Sequence, residues 1–213
     1  MDTSNLTKEN LQKWILRSAE GEVSIDDPFL LKRYKDIHPE RAYYRFFYLL
    51  TEMLDPDLVV ELGAWKGTGA AFFAAGNPNT KVLTIDHHTD PGDEEHKRDC
   101  LEVVSRYPNV EYLQGWTWDV APQVPEQGKI DILFIDSWHV YDKAMRDWEI
   151  YSKMLSDKAL VLCDDILDGE REGDPISGMK RFWEELPGQT KFLTRVLHMG
   201  FPMGVLIYEK TRL

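Results

Sequence analysis

The sequence predicts an α/β fold: a mostly parallel, seven-stranded sheet with helices on both faces, an antiparallel strand at its C-terminal end, and a helical segment in front. Three observations carry this. From Asp57 onward, short apolar runs of strand length alternate with amphipathic stretches of helical period, which is the pattern of a parallel sheet. The last two runs are separated only by a short Gly/Pro segment, the spacing of an antiparallel pair. The first 55 residues lack that alternation and carry helical signals instead.

In chain order, Leu11, Trp14, Ile15 and Leu16 cluster on one early helix, and His38-Pro39-Glu40 starts another that runs through the apolar Tyr43 to Leu54. Residues 1–55 therefore read as a helical cap, with Tyr43, Tyr44, Phe46, Phe47 and Tyr48 placed to wall a pocket or to lie against the sheet. Residues 56–213 read as one structural unit. Its strands are expected at Leu58 to Leu62, Lys81 to Ile85, Val110 to Leu113, Ile130 to Ile135, Ala159 to Cys163, Lys191 to Val196 and Met203 to Tyr208. Between the fourth and fifth, Tyr141, Ala144, Met145, Trp148, Tyr151 and Leu155 recur at three- and four-residue spacing, an amphipathic helix.

Composition bounds the function. The 213 residues hold 25 Lys+Arg and 37 Asp+Glu, a net charge of −12, with 43% hydrophobic, 12% aromatic and 29% charged residues. Such acidity disfavours nucleic acid and anionic membrane surfaces as partners. No apolar run approaches the length of a membrane helix, and the opening MDTSNLTKEN has neither the basic region nor the apolar block of a signal peptide, so a cytoplasmic protein is expected. Cys100 and Cys163 are too few for a disulfide framework or a thiolate zinc site.

A doubly wound sheet binds ligands beyond the carboxyl ends of its parallel strands. The first strand runs into Glu61-Leu62-Gly63-Ala64-Trp65-Lys66-Gly67-Thr68-Gly69. Phe72 stands where a dinucleotide motif needs a small residue, and Lys66-Gly67-Thr68 is not the order of a P-loop. Alone, the segment also fits a glycine turn without a ligand. The second strand ends in Asp86, seventeen residues after Gly69, where an acid accepts ribose hydroxyls or faces solvent. The third ends in Gln114-Gly115-Trp116-Thr117-Trp118-Asp119, a place for adenine or for core-filling indoles. Together the three ends suggest a nucleoside without pyrophosphate.

The fourth strand ends in Asp136-Ser137-Trp138-His139 and the fifth in Asp164-Asp165-Ile166. Adjacent parallel strands bring the three aspartates to one sheet edge, where each pair repels by about 4 kcal/mol at 4 Å and an effective dielectric near 20. Protonation relieves that repulsion, and so does a divalent cation, with oxygen ligands favouring Mg²⁺, Mn²⁺ or Ca²⁺ over zinc. Otherwise one Asp caps the next helix and another faces water. His139 over the same site is placed to accept a proton from a substrate hydroxyl or to serve structurally.

Glu61-Leu62-Gly63-x-x-x-Gly67-x-Gly69, Asp86 and Asp136 resemble the motifs of class I S-adenosylmethionine-dependent methyltransferases, whose fold is Rossmann-like. Ile135-Asp136-x-x-His139-x-Tyr141, the following Asp147, Asp164-Asp165-Ile166, Phe182-Trp183-Glu184-Glu185-Leu186 and Gly204-Val205-Leu206 are similar to the branch called methyltransferase family 24, related to metal-dependent O-methyltransferases and to cephalosporin-hydroxylase-like proteins. The resemblance implies cofactor contacts from Glu61, Gly63, Ala64, Trp65, Gly67 and Thr68, from Asp86 and His87, from Gly115, Trp116 and Thr117, and from Asp136. It implies Mg²⁺ ligands at Asp136, Asp164 and Asp165, and catalytic roles for His139 and Asp136. His87-His88 stands where many members have Thr-Trp, and Ser137 where Gly is usual. The expected activity is metal-dependent O-methylation of a small hydroxylated acceptor; the alternatives are a non-methylating hydroxylase-like or ligand-binding member and, disfavoured by Phe72, a nucleotide-dependent oxidoreductase. The apolar first helices offer a surface for a homo-oligomer, and acceptor choice falls to them and to the acidic Asp165 to Gly178 loop.

Overall fold

The structure, a computed structural model, describes residues 1–37, 43–125, 129–166, 178–188, 190–194 and 203–210. The expected helix start at His38-Pro39-Glu40, residues 167–177 of the acidic loop, and the Gly/Pro segment before the last strand lie outside the described residues.

Seven strands form one sheet: β1 (Leu58–Leu62), β2 (Lys81–Asp86), β3 (Val110–Gln114), β4 (Ile130–Ile135), β5 (Leu155–Cys163), β6 (Thr190–Leu193) and β7 (Gly204–Glu209), in the order β3-β2-β1-β4-β5-β7-β6. The first five run parallel, and β7 is antiparallel to both its neighbours, as expected. β5 begins at Leu155, four residues before its apolar run; a register shift at Ile130/Ile132 lets Leu155 pair with Ile130 ahead of the polar Ser156-Asp157-Lys158. β1 lies between β2 and β4, so the chain leaves β1 toward one edge and later returns to its other side. The carboxyl ends part there, which opens a crevice.

Successive residues of a strand face opposite sides. Val59, Val82, Ile132, Phe134, Leu160 and Leu162 therefore meet one helical layer, of α1 (Lys8–Ala19), α3 (Tyr43–Leu54) and α4 (Thr68–Gly76). Val60, Leu62, Leu83, Ile85, Leu133, Ile135, Val161 and Cys163 meet the other, of α7 (Tyr141–Tyr151) and α8 (Met179–Glu185). Among the described residues the remaining α-helices are α2 (Pro28–Ile37), α5 (Asp93–Arg106) and the one-turn α6 (Thr117–Val120). With both faces covered, the strands read as continuous apolar runs.

Helix α1 is capped by Thr7, whose hydroxyl accepts the Asn10 N–H at 3.2 Å, and buries Leu11, Trp14 and Ile15. Helix α3 is apolar nearly all round and buried accordingly. Phe47 stacks on Phe73 of α4 at 4.4 Å between ring centres and meets Phe134 of β4 edge-on at 4.8 Å. Burying a ring of this size contributes roughly 1.5–3 kcal/mol. Of the apolar surface expected for oligomer contacts, Leu16 and Leu31 stand more than 40% exposed. Among the described residues no helix is long and apolar enough to cross a membrane.

Candidate functional site

A cavity of about 410 Å³ opens at the parting of β1 and β4. Its floor is the glycine segment. Gly63 has φ +100°, and a Cβ there would lie 2.3 Å from the Asp136 carbonyl oxygen, so only glycine lets the two strand ends pass. Trp65, at φ +42°, is gripped at both backbone groups: its N–H donates to Asp86 Oδ2 at 2.9 Å, and its carbonyl accepts from His88 Nε2 at 2.8 Å. The His88 ring is buried and meets the Tyr112 hydroxyl at 2.7 Å through Nδ1. From α2, the buried Arg33 guanidinium donates to the carbonyl of Lys66 and, at 3.3 Å, to that of Asp99. Neither His88 nor Arg33 was expected in this role; a departure from Thr-Trp marked the first, and nothing local marked the second.

Glu61 is 2% exposed and lines the cavity. It accepts the Thr84 hydroxyl at 2.6 Å and the Ala70 amide. Burial pushes its carboxyl up to about 8; the two hydrogen bonds only partly oppose this, and the charges of Asp136 and Asp86 add to it. Gly63, Ala64, Trp65, Thr68, Gly69 and Asp86 also line the cavity, whereas Gly67 turns away to begin α4.

An adjoining cleft of about 30 Å³ is lined by Asp86, His87, Gly115, Trp116, Thr117, Ser137 and Trp138, which gathers the expected adenine-side residues. The His87 ring stacks on Trp116 at 4.2 Å, and Trp116 stacks on Trp138 at 5.5 Å and on Trp118 at 5.2 Å. These indoles are aligned rather than dispersed in the core. Lys143 sits 3.1 Å over the Trp138 ring and Arg146 4.2 Å over that of Trp118. His87 also lies near Asp90 and Asp93. The Thr89 N–H donates to its Nδ1 at 3.2 Å, which leaves the proton of the neutral ring on Nε2, the atom facing Asp90.

In the same cavity, His139 bridges two carboxylates: Nε2 lies 3.4 Å from Asp136 Oδ1 and Nδ1 3.1 Å from Asp165 Oδ2. All three residues present ligand atoms within 4.8 Å of one another. Asp165 is 8% exposed and adopts φ +51°. Asp164, expected beside them, is fully buried and accepts the Tyr43 hydroxyl at 3.1 Å. The structure therefore joins Asp136, His139 and Asp165 at the cavity, with Asp164 engaged by α3. Tyr44, of the aromatic N-terminal group, lines the cavity as well. Burial works against a charged imidazole at His139, but the hydrogen bond and charge of Asp136, with Asp165 and Asp164, outweigh it and raise its pKa to about 9.

Asp147, noted in the sequence only as part of a motif, is fully buried and accepts two hydroxyls, those of Thr117 and, at 2.6 Å, Ser137. Tyr151 donates to the Thr117 carbonyl at 2.7 Å.

Residues 60–166 match the family model described as a methyltransferase domain. Uncharacterized protein R132 of Acanthamoeba polyphaga mimivirus is 25% identical over 139 residues, 60% of this chain; the match spans 62% of that protein's length. The SAH-bound methyltransferase PaMTH1 of Podospora anserina superposes with a TM-score of 0.66 at 13% identity, covering 95% of this chain and 97% of that one. An O-methyltransferase of Bacillus cereus in complex with SAH gives 0.60 at 17% identity, with 97% and 96% covered. At these identities the solved structures show a shared fold.

Proposed function

The chain belongs to the methyltransferase-domain family, and from that premise we propose that it transfers a methyl group from S-adenosyl-L-methionine (SAM) to a hydroxyl of a small molecule, aided by a divalent cation. The observation that carries this reading is one cavity lined by both the glycine segment and the Asp136, His139 and Asp165 group.

The residues fit SAM. Gly63 lets the ends of β1 and β4 pass closely at the cavity, Asp86 retains acceptor capacity beside the Trp65 amide, and the aromatic cleft adjoins it. They also fit a hard cation: the carboxylates of Asp136 and Asp165, with ligand atoms within 4.8 Å of each other, offer the oxygen donors that Mg²⁺ or Mn²⁺ prefers. Asp136 and Asp165 would hold it, with Asp164 held in turn by Tyr43. When bound, SAM supplies an electrophilic methyl and a cation favours the ionised form of a hydroxyl.

The protein's own part is placement and proton handling. The grips on Trp65 and Lys66 fix the cofactor segment against the wall that bears Asp136. His139 receives a substrate proton only when its ring is neutral, so its role as base requires that the charges of Asp136 and Asp165 be offset. The net charge of −12 favours a small acceptor over a polyanion.

Calorimetric titration of SAM and SAH, with and without Mg²⁺, tests the reading, followed by methyl transfer to a panel of diols and catechols. Binding of both ligands, and Mg²⁺-dependent turnover that Asp136→Asn and Asp165→Asn abolish, are expected. No heat with either ligand would sink the proposal; turnover indifferent to chelators would remove the cation from it.

A further inference from the structure

We propose that Asp147 is a positioning residue that sets the width of the cofactor cleft, by tying the turn after β3 to the turn after β4. The inference rests on the methyltransferase reading for what the cleft holds, and on geometry alone for the tie itself. The two turns form opposite lips of the adenine-side cleft: Gly115, Trp116 and Thr117 on one, Ser137 and Trp138 on the other. The strands that carry them, β3 and β4, are not neighbours; β2 and β1 lie between. No sheet hydrogen bond joins them directly.

Asp147 does so from α7. One carboxylate oxygen accepts the Thr117 hydroxyl and the other accepts the Ser137 hydroxyl at 2.6 Å. The group is wholly buried, where a carboxylate that lost one donor would have no water to replace it. Tyr151, one turn further along the same helix, takes the Thr117 carbonyl, so α7 holds that residue by both side chain and backbone. Ser137 directly follows Asp136, whose amide donates to the Leu62 carbonyl at 2.8 Å. A shift in the tie therefore moves the adenine-side lip and the Asp136 wall relative to each other. The serine that departs from the usual glycine is explained: only a hydroxyl there completes the tie.

Hydrogen exchange on the ligand-free protein, paired with SAH calorimetry, tests this with Asp147→Asn, Thr117→Val, Ser137→Ala and Ser137→Thr. Thr117→Val and Ser137→Ala should each speed exchange at both lips, at the Asp119 and Val120 amides and at Asp136, and weaken SAH by about fivefold, the worth of one hydrogen bond. Asp147→Asn should do more, and Ser137→Thr, which keeps the hydroxyl, should restore both readouts. Faster exchange confined to the substituted lip, or SAH binding by Ser137→Ala equal to that of the parent, overturns the proposal. If the parent binds no SAH, the methyltransferase reading falls, and exchange at the two lips alone decides the tie. If Asp147→Asn does not fold, the hydroxyl variants decide it.

Discussion

Replacing Glu61 by glutamine should make the protein more stable in alkali, and by an amount that depends on pH in a defined way. In the unfolded chain Glu61 ionises near 4.5; folded, burial holds its pKa up at about 8. Below pH 4.5 both states carry the proton and stability is unaffected. Between 4.5 and 8 only the folded state keeps it, so stability falls as pH rises, by about 1.4 kcal/mol per unit. Above 8 both states are ionised and the loss is complete, at roughly 5 kcal/mol, a large share of the 5–15 kcal/mol typical of a domain. Glu61→Gln stays neutral throughout and can retain the contact with Thr84. Urea unfolding of parent and variant at pH 5, 6.5 and 8.5 measures the difference. The variant should gain on the parent steadily across that range. A difference in unfolding free energy that stays flat from pH 5 to 8.5 would falsify the placement of a neutral carboxyl at the end of β1.

Other outcomes follow from the same geometry. Gly63→Ala puts a Cβ against the Asp136 carbonyl at a φ that L-residues avoid, and should cost at least about 2 kcal/mol in chemical denaturation together with most SAH affinity. In chelator, the stability that His139 adds over His139→Gln should be fully present below pH 6.5 and lost as pH rises through about 9, because folding raises its pKa; a gap that widens with pH refutes the carboxylate bridge. Both cysteines are buried with their thiols pushed up, Cys100 to about 12, so a thiol reagent should label neither until the protein unfolds. Arg33→Met should leave α2 folded on the core yet weaken SAH severalfold, read by calorimetry, since it frees the Lys66 carbonyl; unchanged affinity removes Arg33 from the site.

The features legible in the sequence are those written in short-range pattern. Alternating apolar runs fixed the strands, and the strand-end positions of Glu61, Asp86, Asp136 and Asp165 followed from topology rules alone. What escaped was set by contacts between distant segments. Tyr43 reaches Asp164 across 121 positions, and Arg33 reaches Lys66 from another helix; neither leaves a local signature. The expected cluster at the ends of β4 and β5 came with a hydroxyl on Asp164 and a left-handed turn at Asp165, and neither has a local mark in the sequence. The aromatic run of α3 announced a helix whose rings lie against the sheet or wall a pocket; Tyr43, Phe46 and Phe47 are packed in the core, and Tyr44 reaches the cavity.

Helix α3 bears on how this protein can be divided. The family match begins at Val60, so a fragment trimmed to residues 57–213 keeps every matched position. It would lose Phe47 from between Phe73 and Phe134, Tyr44 from the cavity wall, and the hydroxyl that holds Asp164. Such a fragment strips α1 and α3 from one face of the sheet and leaves α4 there. The unit that can be transplanted, fused or evolved as a module is therefore larger than the unit that sequence comparison detects, and its earliest indispensable residue lies before the first strand.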